Sequence, residues 1–437
     1  MTDTLILGLG VEGAAAAGYF LQHSEGHVYA TDVRPENDAV PVALQFNNRF
    51  TFLSAKDAEA LLDRQPLFLR SPGISPNHPL VIAATTRGLP VTTPTGYWLE
   101  HLAPPHTVTV TGTKGKSTTV SLIAFILSAL GKGSAAMGNI GQPPLGPAMA
   151  WPDYPVLELS SYMMHDLPAG QYTHIVTSLY KEHTTWHGSE ESYRAAKLRP
   201  FRFDPPAPGF APRNVIDQEN LPNSVVALEE RLPINGDQLL LGDTPFVPAS
   251  LNAAFSVGPS LYALRAACCV ALQHTDPDTL RSALEAALPV YAGLPSRQEI
   301  IPSTDDRVWV NDALATVPEA VAFALGRWRQ PPVTLIIGGA DRGQRFTGLA
   351  EAVRSHGEVL PILFGSIEPI ARADFSAAGV EAVSVDSYAA ALDFAKAHTV
   401  PGGVVLFSPA AATEEPYKDY KERAALFRLA ATAGSPD

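Results

Sequence analysis

Short apolar runs alternate with amphipathic stretches along the chain, and the alternation starts three times. Residues 4–7 (Thr-Leu-Ile-Leu) form a strand-type run, residues 14–22 carry a helical period, and residues 27–30 return to a strand pattern. Apolar runs of four to eight residues between turn residues read as buried strands, and longer periodic stretches as helices. The opening is therefore a βαβ unit that extends to about residue 91, with residues 92–95 (Thr-Thr-Pro-Thr) as a linker. A second rhythm begins at the β-branched run 107–110. A helix follows over 117–130, then strands over 152–159 and 174–179 and helical patterns over 190–199 and 261–273, closing near Gly293, Leu294 and Pro295. The third has strand runs at 308–310, 333–337, 359–364 and 404–407, separated by helical segments. No short-period repeat and no low-complexity segment interrupts the alternation.

Strand–helix alternation of this kind predicts parallel, doubly wound sheets. The expected fold class is α/β in three domains: a Rossmann-like N-terminal domain (1–93), a central P-loop ATPase-type domain with a parallel or mixed sheet (94–294), and a Rossmann-like C-terminal domain (295–437). The length agrees, since 437 residues at roughly 150 per domain make about three. Charge narrows the function. A net charge of −13 argues against a general nucleic-acid binder, although loop amides and one or two lysines still let an acidic protein hold an anion locally. Cys268 and Cys269 are adjacent in an apolar helical run, where they cannot staple distant segments, which fits a reducing cytoplasm. The N-terminus lacks a charged n-region, and no apolar run reaches membrane-spanning length. The expectation is a cytoplasmic monomer with neither nucleic acid nor membrane as partner.

The chemistry starts at residues 111–118, Thr-Gly-Thr-Lys-Gly-Lys-Ser-Thr, between a strand and a helix. That context suits a phosphate loop. Gly112 and Gly115 let the backbone turn its N–H groups toward phosphate, Lys116 reaches the β- and γ-phosphates, and Ser117 offers a hydroxyl to Mg²⁺. Gly112, Thr113, Lys114, Gly115, Lys116, Ser117 and Thr118 are thus the candidate ATP-binding run. A second glycine pattern, Gly8-Leu9-Gly10-Val11-Glu12-Gly13, follows the first strand, and Asp32 ends the next. By itself this is a dinucleotide fingerprint, and its physics serves any pyrophosphate at a helix N-terminus.

The phosphate loop has Val110 where the general pattern has its first glycine. In this it resembles Mur ligases and folylpolyglutamate synthases. The resemblance to Mur ligases continues along nearly the whole chain, and within them it leans toward the branch that adds D-glutamate to UDP-N-acetylmuramoyl-L-alanine. Leu157-Glu158-Leu159-Ser160-Ser161 is similar to the family's metal-binding segment, which implies Glu158 at a second Mg²⁺. Residues 182–189 (Glu-His-Thr-Thr-Trp-His-Gly-Ser) resemble a family segment that implies His183 as a metal ligand, with Glu182 and Thr185 in place of aspartates. Tyr193-Arg194-Ala195-Ala196-Lys197 resembles the segment whose lysine carries a carbamate, an anion suited to Mg²⁺; the bare sequence says only a lysine on an exposed helix face. The implied catalytic set is Lys116, Glu158, His183 and Lys197, and the implied metal ligands are Ser117, Glu158, His183 and carbamylated Lys197.

For the UDP precursor the resemblance implies Gly10, Val11, Asp32, Arg34, the Ser71-Pro72-Gly73 loop, Asn139 of Gly138-Asn139-Ile140-Gly141, and Ser160. Gly293 to Arg297 resembles the family hinge with Ser296 in place of histidine, implying that Arg297 and Asp312 contact ATP. The loops at 338–343 and 408–413 look like amino-acid-binding loops, implying Thr316, Arg342, Thr413 and Tyr420, with Arg423 beyond them. Several positions depart. Leu314 and Arg342 replace lysines, Ser260-Leu261 replaces a His-Asn pair that implies the adenine contact, and Glu414-Glu415 stands where an apolar residue and an aspartate are common. A carboxylate gained at Glu414 and a cation lost at Leu314 predict weaker holding of an acidic amino acid.

The resemblance implies an ATP-dependent ligase that uses two Mg²⁺ ions and an acyl-phosphate intermediate to join D-glutamate to UDP-N-acetylmuramoyl-L-alanine in peptidoglycan precursor synthesis. Other readings stay open from residues alone. They are a related ligase with another amino acid, an NAD-dependent oxidoreductase built on Gly8 to Asp32, and a non-catalytic nucleotide-binding partner.

Overall fold

The first strand, β1 (Thr4–Leu7), is buried at every position, and helix α1 (Val11–His23) leaves it through a glycine turn. A computed structural model describes residues 2–146, 150–180, 184–235, 238–242, 244–246, 259–291, 293–328 and 332–432. The chain divides into two compact units, Met1–Pro289 and Val290–Asp437.

The first unit contains two parallel sheets. Strands β1, β2 (Val28–Thr31), β3 (Phe50–Phe52), β4 (Leu67–Arg70) and β5 (Val91–Thr92) are ordered β3-β2-β1-β4-β5. The order reverses at β1 and β4, and a crevice at the carboxyl ends of such strands is where open α/β sheets take ligands. Strands β6 (Val108–Thr111), β7 (Ser134–Gly138), β8 (Tyr154–Glu158), β9 (Thr173–Val176), β10 (Gly209–Ala211) and β11 (Val225–Ala227) form the second sheet, ordered β11-β10-β9-β6-β8-β7. All pairings in both are parallel. A small antiparallel sheet follows from β12 (Ile234–Asn235), β13 (Gln238–Leu241) and β14 (Thr244–Pro245).

Residues 92–95, expected as a linker, are a strand-to-helix turn. β5 ends at Thr92, and the Thr93 hydroxyl caps helix α2 (Pro94–His101) by accepting from the Gly96 amide at 3.0 Å. The reason is local: a threonine N-cap followed by proline at the first helical position is a helix start. One apolar cluster runs from Ile6, Ala16 and Phe20 through Trp98 to Met137, Leu157 and Met163, so both parallel sheets share a core. Helix α3 (Lys116–Ala129) leaves β6. Helices α4 (Ser161–Met164) and α5 (Glu190–Leu198) follow β8 and β9 in turn, and α6 (Pro259–Ala271) packs on α3. Cys268 and Cys269 are buried free thiols on α6, and burial pushes the Cys269 thiol up to about 12, so neither is a ready nucleophile.

In the second unit the order is β15-β16-β20-β17-β18-β19, with β15 (Glu299–Ile301), β16 (Val308–Asn311), β17 (Val333–Gly338), β18 (Val359–Phe364), β19 (Val383–Ser384) and β20 (Val404–Phe407). Only the β15–β16 pairing is antiparallel among the described strands of this sheet. The expected α/β class is therefore the observed one. Among the described residues no helix is long and apolar enough to cross a membrane.

Candidate active site

The phosphate loop is built by β6, which carries Thr109 and Thr111 into the sheet, and by α3, which starts at Lys116 after Gly115 in a left-handed conformation (φ 88°). Among the described residues no side chain caps α3. Its first-turn amides and dipole therefore favour an anion. The residues just after strand β9 brace the loop from beside it. The Thr113 amide donates to the Ser178 carbonyl at 2.9 Å, the Lys114 amide donates to the Ser178 hydroxyl at 2.9 Å, and the Thr177 hydroxyl donates to the Lys114 carbonyl at 2.6 Å. Gly112 has φ 147°, and a β-carbon there would collide with the Thr177 hydroxyl. The Lys116 ammonium folds over the loop onto the Gly112 and Thr113 carbonyls at 2.9 and 3.1 Å. Ser117 is buried beside it, and Thr118 is half-buried.

Glu158 ends β8 and is only 3% exposed, against the ordinary expectation for a strand-end glutamate. One carboxylate oxygen accepts from the Asn139 amide nitrogen at 2.8 Å; the other, Oε2, is buried without a hydrogen-bond partner among the described residues. A buried carboxylate oxygen left over in this way suits a hard cation. Asn139 was expected on the precursor side. It does line the cavity described below, and it also orients Glu158, a second task the sequence did not suggest.

Lys197 is 2% exposed, so the exposed helix face expected from the bare sequence is wrong. The period of α5 turns this residue inward beside Tyr193, and its ammonium donates to the Gly112 carbonyl at 2.9 Å and the Thr111 hydroxyl at 3.2 Å. His174 on β9, which no motif flagged, holds the same helix: its Nε2 donates to the Lys197 carbonyl at 3.1 Å and its Nδ1 accepts from the Thr109 hydroxyl at 2.8 Å. Burial lowers His174 to about 3, so the ring is neutral. Glu182 and His183 lie outside the described residues, as does the side chain of Thr185.

At the first sheet, Asp32 follows β2. It accepts from the Leu9 amide at 2.6 Å and from the Arg34 amide and guanidinium at 2.9 to 3.0 Å. The Arg34 bonds hold its carboxyl down at about 2. Ser71 follows β4 and donates to the Gly8 carbonyl at 2.6 Å, closing the glycine turn against the Ser71-Pro72-Gly73 loop. Arg70, fully buried, donates to Asp166 past α4 at 2.9 Å and to the Pro72 carbonyl at 3.2 Å, which ties this loop to the second sheet. Neither Arg70 nor Asp166 stood out in the sequence.

A single cavity of about 620 Å³ joins the two ends within the first unit. Gly10, Val11, Asp32, Arg34, Ser71, Pro72 and Gly73 line it from the first sheet; Gly112, Lys116, Asn139, Ser160 and Lys197 line it from the second. It also takes in Glu12, Tyr162 and Tyr193, none of which was a candidate.

In the second unit, Asp312 follows β16. It accepts from the Ser408 hydroxyl at 2.8 Å and the Gln298 amide at 3.1 Å, and burial pushes it up to about 7. Arg297 beside it is exposed. Thr316, Arg342 and Thr413 follow β16, β17 and β20, which are neighbours in the sheet, and an Ala340–Ala412 bridge joins the last two loops. Tyr420 starts helix α7 (Tyr420–Thr432). Glu414 was expected to oppose an acidic amino acid. Its carboxylate accepts from the Ser366 amide at 3.1 Å and the Ser366 hydroxyl, past the end of β18. Leu261, at the expected asparagine position, is buried on α6, which suits an apolar residue there.

Residues 110–219 match the model of the Mur ligase middle domain. The chain is 31% identical to a UDP-N-acetylmuramoyl-L-alanine–L-glutamate ligase of a Micromonospora species, over 99% of this chain and 97% of that protein. The chain belongs to the Mur ligase family. This Mur ligase is also 31% identical to a UDP-N-acetylmuramoylalanine–D-glutamate ligase of Burkholderia mallei, over 98% of this chain and 96% of the other. Its fold is similar to that of MurF ligase from Thermotoga maritima, solved in complex with ADP (TM-score 0.58, 15% identity, 98% of this chain and 94% of that one). It is likewise similar to the UDP-N-acetylmuramate–alanine ligase of the same organism (TM-score 0.55, 17% identity, 98% of both chains).

Proposed function

We propose that this Mur ligase uses ATP to join glutamate to UDP-N-acetylmuramoyl-L-alanine in peptidoglycan precursor synthesis. The observation that carries the reading is the single cavity with a nucleotide-type crevice at one end and a phosphate loop at the other. The whole-length likeness to two glutamate-adding ligases supports it. In this reading the three domains keep the limits 1–93, 94–294 and 295–437, and the protein acts as a cytoplasmic monomer.

The precursor carboxylate attacks the γ-phosphate, the bond to ADP breaks, and an acyl phosphate forms. The amine of glutamate then attacks the acyl carbon and phosphate leaves. Such transfer is mostly positioning and charge neutralisation. The loop amides of Gly112 to Gly115 and the Lys116 ammonium take the phosphate charge. Glu158 and Ser117, with Lys197 once carbamylated and His183, would hold Mg²⁺; the unpartnered Glu158 oxygen is the feature that fits it. The metal supplies further neutralisation of phosphate charge. A carbamate on Lys197 keeps one N–H, enough to donate to either the Gly112 carbonyl or the Thr111 hydroxyl. Arg297 and Asp312 serve ATP, and Thr316, Arg342, Thr413 and Tyr420 serve the amino acid.

The reading of the residues favours D-glutamate. A second reading, L-glutamate, is favoured by the names of relatives from Micromonospora, Salinispora tropica and Xanthomonas campestris. One assay tests both: phosphate release from ATP with Mg²⁺ and UDP-N-acetylmuramoyl-L-alanine, against each glutamate enantiomer and other amino acids. Release with D-glutamate is expected. Release with L-glutamate alone selects the second reading, and no release with either enantiomer overturns the proposal.

A further inference from the structure

Glu12 is a carboxylate at a place built for an anion. It sits on the first turn of α1, whose N-terminus at Gly10 has no side-chain cap, and it lines the same cavity as Gly10, Asp32 and Ser71. A diphosphate bound there meets two carboxylates. Asp32 is fully engaged by Arg34 and the Leu9 amide and stays ionised. Glu12 is held differently. Its Oε2 accepts the Thr95 hydroxyl at 3.0 Å, from the first turn of α2, and a Thr95 backbone hydrogen bond adds to this.

The charges around Glu12 do little to keep it ionised. From β4 comes Arg70, whose guanidinium is committed to Asp166. From the end of β2 comes Asp32, paired with Arg34. Helix α2 offers Thr95 and no cation in that turn. Across the cavity, the second sheet brings Lys116 and Lys197, both turned onto phosphate-loop oxygens, and the phenols of Tyr162 and Tyr193. Burial outweighs these contacts and pushes the Glu12 carboxyl up to about 7. A second anion arriving beside it favours the neutral form further.

We propose that Glu12 takes up one proton from solvent as the diphosphate of a uridine nucleotide settles at the N-terminus of α1, and that the resulting carboxylic acid donates a hydrogen bond to a phosphate oxygen. This rests on the reading that the cavity takes the UDP end of the precursor. Glu12 is then a binding residue whose charge state sets affinity near neutral pH.

The test is calorimetric titration of the full chain with UDP from pH 6 to 9, in buffers of different ionisation enthalpy. Wild type should take up close to one proton per UDP near pH 8, and its Kd should rise by up to about tenfold per pH unit above pH 7. Glu12→Gln keeps an acceptor for Thr95 but cannot titrate. It should bind UDP about tenfold more tightly than wild type at pH 8 and equally at pH 6, with the extra proton gone. Comparing the two proteins cancels the titration of UDP itself. Equal proton counts in both proteins overturn the proposal, as does a wild-type Kd that is flat from pH 7 to 9. If Glu12 only holds Thr95 at the start of α2, the substitution shifts the unfolding temperature and leaves proton count and pH slope untouched, which also overturns it. Failure of both proteins to bind UDP at any pH overturns the reading of the cavity as well.

Discussion

In the proposed mechanism Lys116 and Glu158 divide the charge work at the phosphate end, and their substitutions should fail in different ways. Lys116→Ala removes the cation that folds over the loop onto Gly112 and Thr113. Turnover in the phosphate-release assay should fall by roughly 100-fold or more, the scale of losing one charge-stabilising group; retained activity would falsify the phosphate-loop assignment. Glu158→Gln keeps a partner for Asn139 but loses the buried anionic oxygen. The Mg²⁺ concentration for half-maximal activity should rise, with the unfolding temperature little changed. Asp312 gives a pH prediction. Its carboxyl is raised to about 7 in the fold, from 3.8 when unfolded. A raised acid contributes stability that is complete below pH 3.8 and is lost as the pH climbs through 7. The loss is on the order of 4 kcal/mol. Denaturant unfolding followed through the buried Trp309 should show the decline from pH 4 to 8, and Asp312→Asn should flatten it.

At the scale of elements, the loop between β6 and α3 works because the residues just after β9 brace it. Gly112→Ala drives a methyl into the Thr177 hydroxyl at a φ that only glycine takes without strain. Nucleotide binding, measured by ADP titration, should be lost before the fold is, because the collision is confined to this brace. Elements were also the best-read scale in the sequence. The β-branched run before the loop and the helix after it differ from β6 and α3 by one residue at each end. Strands such as β7 and β10 escaped, since Ser134 to Gly138 is small and weakly apolar and Gly209 to Ala211 is only three residues long. Gly209 is there because the β9 backbone passes too close for any side chain.

Across the first unit, the two parallel sheets are joined by a shared apolar core and by the pair of buried Arg70 with half-buried Asp166. Arg70→Ala leaves Asp166 without that partner and the Ser71-Pro72-Gly73 loop without its anchor. It should cost about 3 kcal/mol by denaturant unfolding, the scale for breaking a buried pair, and weaken UDP binding because the loop lines the cavity. A loss confined to stability, with UDP affinity intact, would separate the anchor from the site.

The sequence by itself determined the phosphate loop, the glycine turn before Asp32, and the strand rhythm of an α/β protein. Each is a contiguous pattern whose spacing reflects local backbone geometry. It also pointed to Glu158 and Lys197, though only through motifs; nothing local says that either is buried. Tertiary structure alone decided the rest. It turned Lys197 inward onto the Gly112 carbonyl, placed Asn139 against Glu158, set His174 behind the Lys197 backbone, brought Glu414 to Ser366, and put Glu12 on the wall of the cavity that joins the two sheets. These contacts join residues 19 to 85 positions apart. Their chemistry depends on burial and on the partner brought across the sheet, and neither is written in the local pattern of the chain.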